Sequence, residues 1–435
     1  MKRRKYRAFF SLFLALLFVF PAAVPAFAAS HVLTLPAGLK KIPAEAFRGD
    51  QSIVSVLLPD GLSSIGSRAF ADSSLREVTI PASVSSIADD AFDGTSLETV
   101  HAAKGTFAYQ WMRDKGYITE YRALLIGEQR WLWFSDEEDP DSGCALDDQT
   151  KRNVADVSNV KAVLARAVGP QGVEGPAGRA FMTAPKTNLS YYGVLNAIKK
   201  TFADTRDQDL SVFFIATHGA SDGDGDLRMA FTGDISDPDQ VRDYWNHRLL
   251  SFATLASWLS ENVRGRVFII LESCGSGSAV YAEGVEENGW TLRGTDNAAA
   301  AKRFTSRAVS AFSSADPGVT VRRTVSSETA VRDRSTGDLR LPKFYVLAAS
   351  RHREKSYGWE SPQESYNFFT KWLIEGIGRK DSSPADTDGN NTLSLHELFS
   401  YIKKYDSITY NDKIYYQHVQ CYPENSSSGL LKLVK

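Results

Sequence analysis

Two short apolar stretches, each followed by a reactive side chain and a glycine, limit what this chain can fold into more than any other feature. The first reads SVFFIATHG and ends at His218 and Gly219, and the second reads VFIILESCGSG and contains Cys274. Unbroken apolar runs of this length are typical of buried parallel strands. Open α/β sheets bind ligands at the carboxyl ends of their strands, so the pattern predicts a thiol and an imidazole side by side at one sheet edge. A cysteine nucleophile and its acid/base need such a pairing.

Predicted strands alternate with predicted helices through this part of the chain. The strands are predicted at 123–127, 180–183, 211–217, 267–272 and 343–349, and the helices at 153–168, 190–202, 252–262 and 366–377. This alternation predicts an α/β fold with a mainly parallel sheet covered by helices on both faces. The pattern fails at 283–341, where a Ser-, Thr- and Arg-rich run predicts an exposed loop or insert that is open to cleavage, including by the protein itself.

The first 28 residues have the three parts of a secretory signal peptide. Five Lys and Arg residues precede position 8, an apolar run covers 8–20, and Ala26-Phe27-Ala28 supplies the cleavage site. Removal of this segment changes the formal net charge from −2 to −7. We therefore expect an exported, acidic protein that does not bind nucleic acid and has no membrane span after signal removal.

Three cysteines occur in the chain, at Cys144, Cys274 and Cys421. An odd number in an exported protein leaves at least one thiol without an internal partner. A bridge between Cys144 and Cys421 would leave Cys274 as that thiol, but the sequence does not fix this pairing.

An internal repeat follows the signal segment. LPAGLKKIPAEAF begins at Leu35, LPDGLSSIGSRAF at Leu58 and IPASVSSIADDAF at Ile80, with periods of 23 and 22 residues. One such unit cannot bury its apolar edge alone, so the units must stack. The pattern resembles the bacterial BspA-like leucine-rich repeat, and residues 105–116 resemble a helical cap. The predicted repeat domain, 32–120, implies a bacterial secreted or cell-surface protein whose repeats are a spacer or bind a protein or cell-surface ligand.

The motifs at His218-Gly219 and at Glu272-Ser273-Cys274-Gly275-Ser276-Gly277 lie 56 positions apart. They resemble the signatures of the caspase-like cysteine peptidases. AASRHREKSY from Ala348 and the Arg-Asn-Val-Ala-Asp run from Arg152 are similar to segments of the legumain family. The resemblance implies a caspase-like α/β domain over 121–435.

The same resemblance implies a role for each motif residue. Cys274 would attack the scissile carbonyl as thiolate, and His218 would protonate the leaving amine and then activate water. The backbone N–H of Gly219 would hold the oxyanion, because glycine allows close backbone approach. A buried structural cysteine and a histidine with ordinary hydrogen-bond partners would explain the same residues.

Glu272, Arg152 and Ser350 are implied to contact the substrate. An acid beside a base suits a neutral amide such as Asn, whereas an acid alone attracts Arg or Lys. Near the place of a second acid in the family this chain has Asn367, which leaves the specificity open. Arg152 would equally fit a solvated helix face.

The sequence thus predicts a secreted cysteine endopeptidase that cuts after Asn or a basic residue and needs no cofactor for its chemistry. Two alternatives use the same letters. One is a cell-surface adhesin in which the repeats bind the ligand and the peptidase-like domain is inactive. The other is a legumain-like peptide ligase, which differs only in how well water is excluded.

The segment DTDGNNTLSLHE, 386–397, resembles an EF-hand calcium loop. Its ligand positions are occupied by Asp386, Asp388, Asn390, Thr392 through its carbonyl, Ser394 and Glu397. The sixth position is Asn391, where glycine is usual, and asparagine tolerates the left-handed backbone required there. A helix-capping loop, with Ser394 as the cap and Glu397 three residues later, explains the same letters.

Overall fold

The computed structural model describes a defined set of residues, and all structural statements below refer to them. They are 31–128, 131–134, 144–147, 151–165, 167–168, 182–221, 227–231, 249–279, 319–323, 329–333, 339–340, 343–351, 354–361, 364–378, 382–405, 407–410, 412–423 and 426–433. The predicted signal peptide and residues 283–318 of the predicted insert lie outside them.

The N-terminal repeats stack into a short solenoid with two parallel sheets. The first contains His31–Thr34, Ile53–Leu57, Glu77–Ile80 and Thr99–Ala102, and the second contains Lys41–Ile42, Ser64–Ile65 and Ser86–Ile87. The equivalent rings Phe47, Phe70 and Phe92 stack, with centroids 5.2 and 5.4 Å apart. Helix Phe107–Asp114 closes the array, as predicted, and Thr106 caps its first turn.

A six-stranded sheet forms the centre of the second part. In spatial order its strands are Met182–Thr187, Tyr121–Gly127, Leu210–Ala216, Arg266–Glu272, Phe344–Ala348 and Gln420–Tyr422. All neighbours run parallel except the last pair. We call Leu210–Ala216 the histidine strand and Arg266–Glu272 the cysteine strand. The mainly parallel sheet predicted from the sequence is therefore present.

Helices cover both faces of this sheet. Lys151–Leu164, Phe368–Ile377 and Leu395–Ile402 pack on one face, and Tyr191–Phe202 and Phe252–Asn262 pack on the other. Alternate residues of the cysteine strand enter the two cores, with Phe268 and Ile270 on the first face and Ile269 and Leu271 on the second. The central strands are buried on both sides, which is why they read as continuous apolar runs.

Two predicted boundaries differ from the structure. The helix predicted at 153–168 spans Lys151–Leu164, because Ala167–Val168 pairs as a strand with Gly429–Leu433. The strand predicted at 180–183 spans Met182–Thr187 and contains Pro185. This strand lies at the sheet edge, where a proline costs no ladder hydrogen bond.

Part of the predicted insert at 283–341 forms strands rather than loop. Val319–Arg323, Thr329–Asp333 and Leu339–Arg340 make a small antiparallel sheet. Two of these segments read VTVRR and TAVRD, with the β-branched residues that favour strands.

The remaining strands form small antiparallel sheets around the central one. They are Trp131–Phe134 with Cys144–Asp147; Gly219–Ser221, Leu227–Ala230 and Leu249–Ser251; Ala167–Val168, Gly429–Leu433 and Thr392–Ser394; Gly358–Glu360 with Ser365–Asn367; and Ser407–Tyr410 with Lys413–Tyr416. None of the helices in the described part of the chain has the length and apolar character needed to cross a bilayer.

Buried charges join the repeats to the α/β part. Arg113, in the capping helix, is 3% exposed and donates to the carboxylate of Asp209, just before the histidine strand, at 2.6 Å. Its other terminal nitrogen lies 3.1 Å from Glu120. Burial alone would raise the pKa of Glu120, but hydrogen bonds and the Arg113 charge lower it to about 2. The Glu120 carboxylate is therefore ionised at neutral pH.

Candidate active site

The histidine and cysteine strands are neighbours, and both reactive residues follow their ends at the same level. The two strands pair in parallel up to Ala216 opposite Glu272, and the N–H of Thr217 donates to the Glu272 carbonyl at 3.0 Å. His218 and Cys274 each lie two residues beyond that last pair, and both are partly buried. The Ala230 N–H fixes the His218 carbonyl at 2.9 Å. The two side chains therefore emerge from adjacent strands at the carboxyl edge of the sheet.

Gly219 lies directly against the backbone of the cysteine segment. A Cβ atom at this position would lie 2.5 Å from the Cys274 carbonyl oxygen and 2.7 Å from the Ser273 hydroxyl. Only glycine fits such a contact without displacing the neighbouring backbone. The residue predicted to donate an oxyanion hydrogen bond is thus in contact with the residue predicted to be the nucleophile.

The small residues after Cys274 produce a tight turn. Gly275 has φ +63°, a left-handed conformation that favours glycine. A Cβ atom on Gly277 would lie 2.6 Å from the Ser350 carbonyl oxygen, so the following 3-10 turn, Ser276–Ala279, packs tightly on the next strand's end. The turn carries the chain away from the sheet and leaves Cys274 at its edge.

The segment Glu354–Tyr357, which follows the strand Phe344–Ala348 and which we call the covering segment, lies over the thiol. The N–H of Ser356 points at the Cys274 sulfur, with N and Sγ 3.3 Å apart. The Glu354 carbonyl accepts the Gly275 N–H at 2.7 Å. The pKa of the Cys274 thiol is raised, chiefly by burial and also by the Glu272 charge, although the Ser356 N–H lowers it in part. The resting sulfur is therefore protonated at neutral pH, and a base has to remove its proton before attack.

Glu272, two residues before the cysteine, is 2% exposed and has partners for both carboxylate oxygens. One oxygen accepts from the Ser356 hydroxyl. The other accepts from the N–H and hydroxyl of Thr370 at 3.2 and 3.0 Å. Glu272 therefore links Ser356, whose N–H points at the thiol, to helix Phe368–Ile377.

A second buried acid, Asp156, accompanies Glu272. Both oxygens of Asp156 accept from Asn367, one from its backbone N–H at 3.3 Å and one from its amide at 2.6 Å. Burial raises the pKa of Asp156 well above its usual value, and the nearby Glu272 charge raises it further. Burial also raises the pKa of Glu272 to about 7, against partial compensation by its hydrogen bonds and by Arg152. A buried acid pair with both pKa values raised keeps its protons to a higher pH than exposed carboxyls do.

Arg152 and Ser350, the other predicted substrate contacts, are held by different neighbours. Arg152 is partly exposed, and a Cβ on Gly358 would lie 2.6 Å from its Cδ, so it packs beneath the strand Gly358–Glu360. Ser350 is fully buried and donates to the Ser273 and Glu354 carbonyls, both at 3.2 Å. A direct substrate contact for either residue stays a prediction.

Some residues that build this centre were not predicted from the sequence. Asp156 lies one helical turn after Arg152, an i,i+4 spacing that puts both on one face and could have identified it. Thr370 and Gln417 carry no comparable signal, because they reach the site only through tertiary packing. Gln417 is 1% exposed and bonds to the Ser356 hydroxyl and the Tyr357 N–H.

We expect the Glu272→Gln variant to lose less stability than the wild type as pH rises toward neutrality. A carboxyl whose folded pKa is raised from 4.5 to about 7 stabilises the fold fully below pH 4.5 and loses that contribution as pH rises through about 7. Urea unfolding at about pH 5 and about pH 8 measures the difference, on the order of 3 kcal/mol for this group.

The matched control is Glu98→Gln, because that carboxylate is exposed. Its pH dependence should follow the wild type. A Glu272→Gln chain that loses as much stability as the wild type over this interval would contradict the expectation.

The loop 386–397, which resembles a calcium loop, has the left-handed backbone at its sixth position that such a loop requires. Asn391 has φ +61°, and its N–H donates to one Asp386 oxygen at 2.9 Å. The carboxylates of Asp386, Asp388 and Glu397 offer oxygens within 4.8 Å of one another. The other Asp386 oxygen is buried and accepts no hydrogen bond.

The capping interpretation of this loop is also realised. The Ser394 hydroxyl accepts the Glu397 N–H at 3.2 Å, and the Glu397 carboxylate accepts the Ser394 N–H at 2.9 Å. The other Glu397 oxygen accepts from Thr387. To bind a cation as a bidentate ligand, Glu397 would have to give up these bonds.

The possible bridge predicted from the sequence joins Cys144 to Cys421. Cys421 is buried in the strand Gln420–Tyr422, whereas the side chain of Cys144 lies outside the described residues.

Comparison with known proteins identifies the N-terminal part. Residues 27–108 match six copies of the BspA type leucine rich repeat region. The sequence periodicity indicated three clear units within these bounds. The N-terminal solenoid is therefore a BspA-type leucine-rich-repeat array, a kind of repeat typical of bacterial surface proteins.

The α/β part has no equivalent identification. No curated protein sequence matches the chain. Among solved structures, protein GSU0716 from Geobacter sulfurreducens is similar at 14% identity and a TM-score of 0.36, over 70% of this chain and 92% of that one. At that TM-score the two folds are not shown to be the same.

Proposed function

We propose that the chain is an exported cysteine endopeptidase with a caspase-like α/β domain, in which Cys274 is the nucleophile and His218 its acid/base. The observation that carries the proposal is the emergence of both side chains at one level from adjacent parallel strands, with Gly219 packed on the Cys274 backbone. The rest of the sheet edge supplies a covering segment and a buried acid pair. A structural cysteine would need none of these parts.

The reaction follows from these positions. His218 accepts the thiol proton as the sulfur attacks the scissile carbonyl, and the Gly219 N–H donates to the developing oxyanion. Collapse breaks the C–N bond, and His218 returns the proton to the leaving amine. A water molecule, deprotonated by His218, then attacks the thioester carbonyl and releases the carboxylic acid and the free thiol.

We propose Asn as the preferred residue before the cut, ahead of Arg and Lys. Burial raises the pKa of Glu272 to about 7 and that of Asp156 well above its usual value, so the pair carries less than its full negative charge at neutral pH. The positive charge of Arg152 offsets part of the remaining negative charge. A nearly neutral group of hydrogen-bond donors and acceptors suits an amide better than a cation.

The test is turnover of peptide reporters by the mature wild-type chain and by Cys274→Ala. Reporters that end in Asn, Arg, Lys and Gln before the scissile bond separate an amide preference from a basic one. Turnover that persists unchanged in Cys274→Ala would end the peptidase proposal. Transfer of the acyl group to an added amine instead of water would favour the ligase alternative.

The adhesin alternative is favoured by a different observation, the repeat array itself. BspA-type repeats suggest protein binding. Under this alternative the purified chain would bind a protein or cell-surface ligand equally well with and without Cys274. Labelling of Cys274 by an acyl-type thiol probe, lost on denaturation, would argue against an inactive domain.

We also propose that the loop 386–397 binds calcium. Its buried Asp386 oxygen without a hydrogen bond is the observation that favours a cation over a simple cap. Calcium at a hundredfold excess over its Kd is expected to stabilise the folded chain by about 2.7 kcal/mol. Thermal unfolding with and without calcium measures this gain, which Asp386→Asn should abolish.

The control for the calcium measurement is Asp412→Asn, an exposed acid in the turn of the hairpin that follows the helix Leu395–Ile402. That variant should keep the full gain. An equal gain in Asp386→Asn, or none in the wild type, would leave the loop as a capping element.

A further inference from the structure

The covering segment, Glu354–Tyr357, lies over Cys274 without strand or helix hydrogen bonds of its own. Its backbone nevertheless makes two contacts, one with Cys274 and one with Gly275. The Ser356 N–H points at the Cys274 sulfur at 3.3 Å, and the Glu354 carbonyl accepts the Gly275 N–H at 2.7 Å. Because the segment belongs to no helix or strand, other residues must hold it in place for these two contacts to persist.

Gln417 holds one end of the covering segment. Its amide oxygen accepts the Tyr357 N–H at 2.9 Å, and its amide nitrogen donates to the Ser356 hydroxyl at 3.2 Å. The same nitrogen donates to the Ala349 carbonyl at 3.1 Å, at the end of a central strand. Gln417 is buried, so each lost bond would leave a polar group without water.

His418 holds the other end. Its backbone N–H donates to one Glu354 carboxylate oxygen at 2.9 Å, and its Nδ1 lies 2.6 Å from the other oxygen. Burial acts to raise the pKa of Glu354, but the hydrogen bonds of His418 and of the Arg351 N–H outweigh it and lower that pKa. The carboxylate is therefore ionised, and its bonds to His418 are charge-assisted.

We infer that Gln417 and His418 are positioning residues that hold the covering segment so that the Ser356 N–H stays aimed at the Cys274 sulfur. Their hydrogen bonds go to Ser356, Tyr357 and Glu354, so they act on the sulfur through the covering segment. The inference rests on the proposed role of Cys274 as nucleophile. It goes beyond that role because it assigns a function to a part of the chain far from the catalytic motifs in sequence.

The experiment is the pH dependence of Cys274 alkylation by iodoacetamide, followed by mass spectrometry of the Cys274 peptide. In Gln417→Leu and His418→Leu we expect the midpoint to move up by about one pH unit and the rate at pH 7 to fall about tenfold. A merely structural role would expose the sulfur, and the midpoint would then fall because burial is what raises it.

Two further variants make the result specific. His418→Asn retains an N–H donor near the place of Nδ1 and should keep the wild-type midpoint. Gln208→Leu removes two side-chain hydrogen bonds, to Arg113 and Ile118, at a place that does not touch the covering segment, and should also leave the midpoint unchanged.

A wild-type midpoint in folded Gln417→Leu and His418→Leu, judged by circular dichroism, would overturn the inference. If Gln417→Leu does not fold, Gln417→Asn serves, since it keeps the amide but shortens its reach, and the same upward shift is expected. The readout does not depend on peptide cleavage. An upward shift in a chain that cleaves no reporter would therefore sustain this inference while the peptidase proposal fails.

Discussion

Replacement of Cys274 by Ala should reduce peptide turnover by about 10⁴-fold or more, with little effect on folding. The nucleophile and its base act as a unit, so removal of either abolishes most of the chemistry. Cys274 is partly exposed at the sheet edge, and its loss opens no large cavity in the core. Initial rates on an Asn reporter, with thermal unfolding in parallel, measure both effects.

Two variants complete this experiment. His218→Ala should lose a comparable factor, and the double variant should be little worse than either single one, because the two residues serve the same steps. Cys421→Ala, in the last strand of the same sheet, removes a different cysteine and should retain turnover. Additive losses for Cys274 and His218 would indicate that they do not act together.

Replacement of Arg113 by Leu should cost about 3 to 5 kcal/mol of folding free energy, because it leaves the buried carboxylate of Asp209 without its positively charged partner. Asp209 is 1% exposed and also accepts the N–H groups of Glu120 and Arg206, so it cannot turn toward water. Urea unfolding at neutral pH measures the loss.

The repeats contain a matched control for this change. Arg76 and Glu98 also form an ion pair, at 2.9 Å, but both side chains are about 60% exposed. Arg76→Leu should therefore cost less than about 1 kcal/mol. Arg113→Leu combined with Asp209→Leu should recover part of the loss, because the carboxylate that the first change leaves unpaired is then absent. Equal losses of folding free energy for Arg113→Leu and Arg76→Leu would mean that the junction is solvated and contributes little to stability.

This junction bears on function as well as stability. The guanidinium of the capping helix reaches the residue that precedes the histidine strand, so the repeat array is fixed to the sheet that carries His218. A ligand bound by the repeats would then be held in a constant position relative to the candidate active site. That arrangement favours a docking surface over a loose spacer.

Much of the fold could be predicted because it repeats or because it is buried. The 22- to 23-residue period identified the solenoid, since stacked units need the same apolar positions in each turn. The histidine and cysteine strands were recognisable because a strand buried on both faces is apolar throughout. Helix Phe252–Asn262 was predicted with its bounds correct, since Ser251 supplies a cap that the sequence displays.

Other features could not be read in this way. The end of the helix Lys151–Leu164 depends on the pairing of Ala167–Val168 with the last strand of the chain, more than 260 positions later. The strand Met182–Thr187 contains a proline that only an edge position permits. Each boundary was set by a partner remote in sequence.

The sequence by itself determined which segments could be buried, where the apolar strands end and which reactive side chains follow them. It did so because hydrophobic period and glycine placement are local properties of a chain. The tertiary structure alone decided that Glu272 shares its buried setting with Asp156, that Thr370 and Asn367 supply their hydrogen bonds, and that Gln417 and His418 hold the segment above Cys274. Those contacts join residues up to 211 positions apart, and burial gives them their strength because no water competes there.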